Sequence, residues 1–567
     1  MLGGQNGNLK RPHGKSTAIF WLLCLIPFFG ATWVWLSALS FVPVPWPDDS
    51  AFYFVAKELF QWPPRWVMLP QAPFEPTYRI FNFNTMPLYP ILIGIGRELG
   101  IDGSFGIKFW PLVFWAATGS IYVAALLRAG MPILGALTMA LVFALDPIHR
   151  WGSVLVRPES LVAFCGIAIV LGLTFGFPER LRARGLWDPI AALLAIAAYS
   201  HFNAIHLLFP VVLALALEPG TLIRIASRTL LYLSPWLLVV AARFNLFVHQ
   251  MKTQWTRLAI HNDWLDSFNK AVSSLISSYG SPESWPGVMT ATSVMLWIAI
   301  IAALAWSIVG GLGFTMLAYG RLLGWLKKTP SLGGWARMTP AAAWVLGAVW
   351  LWDSKPEVWF IYYIHIATWC FVGIAGLTLW NHKQHLGSRV ALGLLAALTV
   401  ASTGIFAYVD FSQALRLGNT KTWNWTTYRD YVDCVDQRLS ALERDLRAKG
   451  VKRPDEKFSA WFPTFPDITV QLSLRHPDWD LTRTNDFWER AHLAVAHGHA
   501  VDAVVVTEML HAIEREISAP ASQYPQIISV WMTWREYFLN RLWNEPGWKP
   551  NRYICQRGRW QAFLFMN

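Results

Sequence analysis

Pro45-Trp46-Pro47-Asp48-Asp49-Ser50 follows directly on Ser16 to Val42, a run without a single Asp, Glu, Lys or Arg. A helix of about 27 residues rises roughly 40 Å, more than the hydrocarbon thickness of a bilayer. Lys10, Arg11 and Lys15 precede the run as in a signal peptide. Its apolar stretch is too long for an h-region, however, and no small-residue cleavage site stands before Pro43, so it reads as an uncleaved first span. Two adjacent carboxylates therefore emerge at the far membrane face, where charge is tolerated and is commonly functional.

The whole chain agrees with that beginning. Of 567 residues, 54% are hydrophobic and only 14% charged, and the mean hydropathy is +0.34, which excludes an ordinary soluble protein of this length. The net charge of +12 does not point to nucleic acid, because the basic residues cluster between apolar runs where the positive-inside rule places them. Trp is over-represented at 34 residues, many of them at predicted span ends, as in an interfacial aromatic belt. Apolar runs predict spans near 17–41, 106–127, 131–147, 160–177, 188–201, 204–217, 229–247, 290–318, 340–352, 358–379 and 390–409. With the N-terminus (1–16) cytoplasmic, alternate loops carry Arg128, then Arg180, Arg182 and Arg184, then Arg224 and Arg228, then Arg321, Lys327, Lys328 and Arg337, then Lys383 and Arg389. The opposite loops collect acids, among them Asp48, Asp49, Asp146, Glu159, Asp353 and Glu357. The expected architecture is an α-helical polytopic membrane protein of about eleven transmembrane helices, residues 17–410, with a C-terminal extracytoplasmic α/β domain at 411–567.

The first outer loop, 42–105, holds two amphipathic-looking pieces, Ser50–Phe60 and Thr85–Leu99, which are expected to be helices lying in the interface plane. In the tail a helix is expected over Tyr428–Lys449, a strand at Asp502–Thr507, a helix over Glu508–Ile517 and a last strand at Trp560–Phe565. Its Trp423, Trp425, Trp461, Trp479 and Trp488 suit a sugar-stacking platform or a core. Cys24, Cys165 and Cys370 fall within spans, leaving Cys434 and Cys555 as an even pair in an oxidising compartment, where a disulfide is expected.

Asp48 and Asp49 have two readings. Asp behind Pro is a good helix start, and two carboxylates at the mouth of a membrane cavity also suit a general base and an orienting or cation-binding partner. Asp146, His149, Arg150, Arg157 and Glu159 gather around the next outer loop; Arg157 and Glu159 suit either a salt bridge or a grip on an anion. His201 and Asn203 mark a third outer turn, and Lys355, Glu357, Tyr362, Tyr363 and His365 a fourth. If these loops converge, carboxylates, cations and aromatics meet in one outer cavity, a set suited to moving a group from a lipid-linked phosphate to a hydroxyl.

This pattern resembles the GT-C superfamily of integral membrane glycosyltransferases that use polyprenyl-phosphate-linked sugars. The likeness lies in Asp48-Asp49-Ser50-Ala51-Phe52-Tyr53 after the first span and in Met86-Pro87-Leu88-Tyr89-Pro90 opening the second juxtamembrane helix. Arg157-Pro158-Glu159 at the fourth span and an extra-membrane tail complete it. The resemblance implies an inverting transfer with Asp48 and Asp49 as base and partner and Arg79, Arg157 and Lys355 as contacts of the donor phosphate. It leaves Glu159, His149, Arg150, His201, Tyr363 and His365 to orient substrate. Some relatives use a divalent cation (Mg2+, Mn2+ or Ca2+), for which Asp48 and Asp49 are the candidate ligands, and others none. Relatives that transfer aminoarabinose have a lysine before the Pro-Leu-Tyr-like motif where this chain has Thr85-Met86; the acidic pair is similar to that of arabinofuranosyl and some mannosyl transferases and does not choose between sugars. Implied partners are a polyprenyl-phosphate-sugar donor, a lipid, glycan or protein acceptor, and membrane lipids, with no nucleic acid. The implied location is a bacterial inner membrane, with site and tail periplasmic.

Three alternatives fit the sequence less well. A transporter would place ionisable groups at mid-span and show internal repeats. A polymerase or ligase using diphosphate-linked oligosaccharides would lack the early acidic pair, and a scaffold needs no such pair. No nucleotide loop, zinc spacing or nucleophile elbow is present.

Overall fold

The structure is a computed structural model, and it describes residues 15–41, 47–67, 81–83, 85–101, 103–146, 149, 157–177, 181, 183–216, 218–255, 301–303, 305, 337–354, 358–416, 425–462, 468–483, 502–509, 549–557 and 560–566. The helices in the first half are α1 (Lys15–Phe41), α2 (Pro47–Leu59), α3 (Leu88–Glu98), α4 (Gly103–Arg128), α5 (Ile133–Leu145), α6 (Glu159–Phe175), α7 (Pro189–Ser200), α8 (Leu208–Ala214), α9 (Pro219–Ala242) and α10 (Phe244–Trp255). After them come α11 (Thr339–Ser354), α12 (Val358–Asn381) and α13 (Leu386–Arg416). Among the described residues, Phe109–Arg128, Pro219–Ala242, Tyr362–Asn381 and Leu386–Gly404 are long and apolar enough to cross a bilayer, accompanied by shorter apolar helices. The chain is a multi-pass membrane protein. The span expected at 290–318 lies largely outside the described residues.

Small residues let the helices approach closely, as membrane bundles require. A Cβ on Gly373 of α12 would overlap Tyr122 Oη of α4. That closeness lets Tyr122 donate to the Trp369 carbonyl at 2.8 Å. A Cβ on Gly166 of α6 would likewise overlap the Trp344 ring of α11. Gly130, at φ 94°, supplies the left-handed turn between α4 and α5. Asp188 caps α7 by accepting from the Ile190 and Ala191 amides, and it pairs with Arg228 of α9 at 3.3 Å. The basic loop before α7 and the basic first turns of α9 thus share one face of the bundle.

The apolar run expected at 204–217 begins in a turn and not in a regular α-helix. A 3-10 turn over Phe202–Leu207 leads into the seven-residue α8. His201 Nδ1 accepts from the Asn203 amide at 3.0 Å and caps that turn.

The tail comprises α14 (Trp425–Ala448), β1 (Ser459–Phe462), α15 (Thr469–Arg475), β2 (Asp480–Arg483), β3 (Ala503–Met509), β4 (Lys549–Arg557) and β5 (Trp560–Met566). The sheet order is β2-β1-β3-β5-β4, parallel across β2-β1-β3 and antiparallel across β3-β5-β4. Parallel pairing of β1 and β2 demands a crossover, which α15 provides. Tyr431, Val435, Leu439 and Leu442 of α14 bury one helical face against Phe458, Ala460, Phe462 and Val505. Glu508, expected to start a helix, is instead in β3 opposite Gln561 of β5, because pairing along the whole of β5 extends the strand; the rest of Glu508–Ile517 beyond Met509 lies outside the described residues. Cys434 on α14 is disulfide-bonded to Cys555 on β4, with their Cα atoms 5.8 Å apart.

Candidate functional site

α2 is not a helix with one wet face. Phe52, Tyr53, Phe54, Val55 and Ala56 are all buried, and successive helical residues point about 100° apart, so these five close the full circle. Contacts with α3 on one side and with α15 of the tail on the other account for this. Lys57 and Glu58, near the end of α2, feel the charges of Lys457 and Asp480 in the tail. The expected interfacial amphipathicity failed because a segment more than 400 residues away covers the second face.

Asp48 and Asp49 form the first turn of α2, where the positive end of the helix dipole favours a carboxylate; their side chains lie outside the described residues. The Met86-Pro87-Leu88-Tyr89 segment stands beside this helix. The Tyr89 ring meets Phe52 of α2 edge-on at 5.3 Å, and Thr85, Met86 and Tyr89 are buried. Upstream, Gln250 of α10 clamps the chain, its Oε1 accepting from the Phe83 amide at 2.7 Å and its Nε2 donating to the Phe81 carbonyl at 2.9 Å. Arg79, Arg150 and Lys355 lie outside the described residues.

A second polar group is wholly buried between α5, α6 and α12. Tyr362, His365 and Trp369 recur at i, i+3 and i+7 on α12 and so share a face. Asp146, just past α5, accepts from Trp369 Nε1 at 2.8 Å and faces His365 Nδ1 at 3.5 Å. The His149 amide donates to Asp146 Oδ1 at 3.3 Å, and the His149 ring lies 6.1 Å from that of Tyr362 and 6.4 Å from that of His365. On the adjoining face of α12, the Tyr363 ring is 4.6 Å from that of His206 and lies in the field of Glu159 and Arg157. Arg157 and Glu159, both buried, pair with each other, Nη2 to Oε1 at 2.9 Å. Among the described residues, both ring nitrogens of His149, the Tyr362 hydroxyl and His206 Nε2 have no hydrogen-bond partner. Leaving such a group unpaired costs about 1–3 kcal/mol, so these atoms call for a water or a ligand group as partner.

The structure thus brings together His149, Tyr363, His365, Arg157 and Glu159, whereas His201 serves to cap the 3-10 turn. His206 and Trp369 escaped the sequence reading. Each sits inside an apolar run with no flanking charge, and only the long-range packing of α12 exposes its role. In the tail, Trp479 belongs to the core and stacks on His476 at 3.7 Å, which occupies one face of its indole. Among the described residues no group of three His, Cys, Asp or Glu is arranged to hold a metal ion.

An apolar helical bundle, two short helices between its first long ones and a sheet-bearing tail packed back onto the first of these make up the fold. The chain has the fold of ArnT from Cupriavidus metallidurans. The crystal structure of that protein bound to undecaprenyl phosphate superposes over 96% of this chain and 98% of its own, at TM-score 0.50 and 12% identity. The apo crystal structure of the same protein matches over 97% and 98%, at TM-score 0.47 and 14% identity. No family model matches the sequence, and no curated protein matches it.

Proposed function

We propose that the chain is an inverting glycosyltransferase that moves a sugar from a polyprenyl-phosphate donor to a hydroxyl of a lipid, glycan or protein on the periplasmic face of a bacterial inner membrane. The observation that carries this reading is the fold shared, over nearly the whole chain, with a protein whose crystal structure holds undecaprenyl phosphate. One of Asp48 and Asp49 takes the proton of the acceptor hydroxyl, and the acceptor oxygen forms the new bond to the anomeric carbon. The bond from that carbon to the phosphate oxygen breaks, and polyprenyl phosphate leaves with one more negative charge than the diester carried. The helix start at Pro47–Ser50 keeps the acidic pair ionised and ready to accept a proton. Arg79, Arg157 and Lys355 are the cations proposed to meet the departing phosphate, and Glu159 holds Arg157 in place until it does. His149, Arg150, Tyr363 and His365 are proposed to line the path of donor or acceptor.

The test is direct. Purified protein is incubated with radiolabelled polyprenyl-phosphate sugars and crude envelope acceptor, and release of the unglycosylated carrier is followed. Protein-dependent release supports the proposal. Donors left intact across the common hexose and pentose carriers, while the protein stays folded, count against it.

A further inference from the structure

At the far end of α12 from the polar group, the turn into α13 forms an open groove of about 490 Å³ lined by Trp380, Lys383, Arg389, Leu392, Gly393 and Ala396. His365 and Trp380 are 15 residues apart on one helix, which puts the groove roughly 22 Å along the axis from His365, at the opposite membrane face. Its two cations are exposed. The Lys383 ammonium lies 3.6 Å from the centroid of the Trp380 ring, and Arg389 Nη2 donates to the Gln384 carbonyl at 3.4 Å. Neither has a carboxylate partner among the described residues, and the sequence holds no Asp or Glu between Glu357 and Asp410. Below the cations the surface turns apolar: Val390, Leu394 and Val400 of α13 are exposed, and an added Cβ on Gly393 would meet nothing within 4 Å.

We propose that this groove binds the headgroup of an anionic glycerophospholipid in the leaflet opposite the transfer site. The phosphate sits between Lys383 and Arg389, and the acyl chains run along Leu392, Gly393 and Ala396. The occupant is a lipid rather than a soluble anion because the cationic rim opens onto an apolar strip at the end of two spans, the place where basic pockets meet anionic leaflets. An interfacial Trp under the ammonium holds the cation at headgroup depth.

Full-length protein in neutral detergent is offered phosphatidylglycerol and phosphatidylcholine of the same acyl composition, and retained lipid is counted by native mass spectrometry. The native chain should retain phosphatidylglycerol preferentially. Each cation near a lipid surface contributes roughly a factor of five, so Lys383→Gln/Arg389→Gln should lower that retention by about 25-fold. Gly393→Phe keeps both cations but fills the groove, and it should lower retention as well. Equal retention of the two lipids by the native chain, or undiminished phosphatidylglycerol in the double variant, overturns the proposal. So does displacement of the lipid by millimolar inorganic phosphate, which would make this a site for small anions.

Discussion

Cutting the Cys434–Cys555 bond should loosen the tail far more than any single side-chain change there. The bond closes a loop of 121 residues, and the chain-entropy relation for a loop of that size gives about 5 kcal/mol, with about 2–4 kcal/mol the usual yield. Both ends are well placed to realise it. Cys555 is buried, and Cys434 packs against the same core from α14, so the bond fastens the first helix of the tail to its last hairpin. With about 3 kcal/mol lost, the opened population of the tail rises roughly 150-fold. Limited proteolysis of Cys434→Ser/Cys555→Ser, under conditions where reclosing outruns cleavage, should show tail cleavage accelerated by about two orders of magnitude. Cleavage within twofold of the native rate, or two free thiols in the unreduced native protein, would refute the reasoning.

Arg157→Met should destabilise the bundle by about 3–5 kcal/mol, because it removes the cation from a buried carboxylate. Arg157→Met/Glu159→Gln should recover most of that loss in a thermal-unfolding assay while still losing transfer activity, the outcome expected if the arginine also serves the donor. In the tail, burial raises the Asp436 carboxyl, but hydrogen bonds from Arg475 and His476 outweigh it and leave the group below its ordinary value. A carboxylate depressed in the folded state contributes stability above its unfolded value, and this is lost as pH falls through the folded one. Tail unfolding followed by proteolysis should therefore ease below about pH 4, and Asp436→Asn should flatten that dependence. Cysteine placed at Ser50 should react with a membrane-impermeant reagent in intact cells, and cysteine at Gln384 only after permeabilisation. The reverse pattern would put the acidic pair on the side without the donor.

The bundle was legible where the signal is local. Long apolar runs produced α1, α4, α12 and α13, and the run near 188–201 produced α7. What escaped was set by partners remote in sequence. Nothing near Phe52–Ala56 states that α15 will lie on it, so α2 read as half-exposed. The contact of Asp146 with Trp369 joins residues 223 positions apart, and His206 stands in an apolar stretch that reads as plain span. Local propensity also misjudged Glu508, a good helix former held in a strand by its pairing with β5.

The decisive measurement is turnover of a polyprenyl-phosphate sugar by the native chain beside Asp48→Asn and Asp49→Asn. Loss of the base should lower the rate by about 10²-fold or more, with the unreactive variant still folded and still binding the carrier. Undiminished turnover in both variants would contradict the role given to the acidic pair at the start of α2.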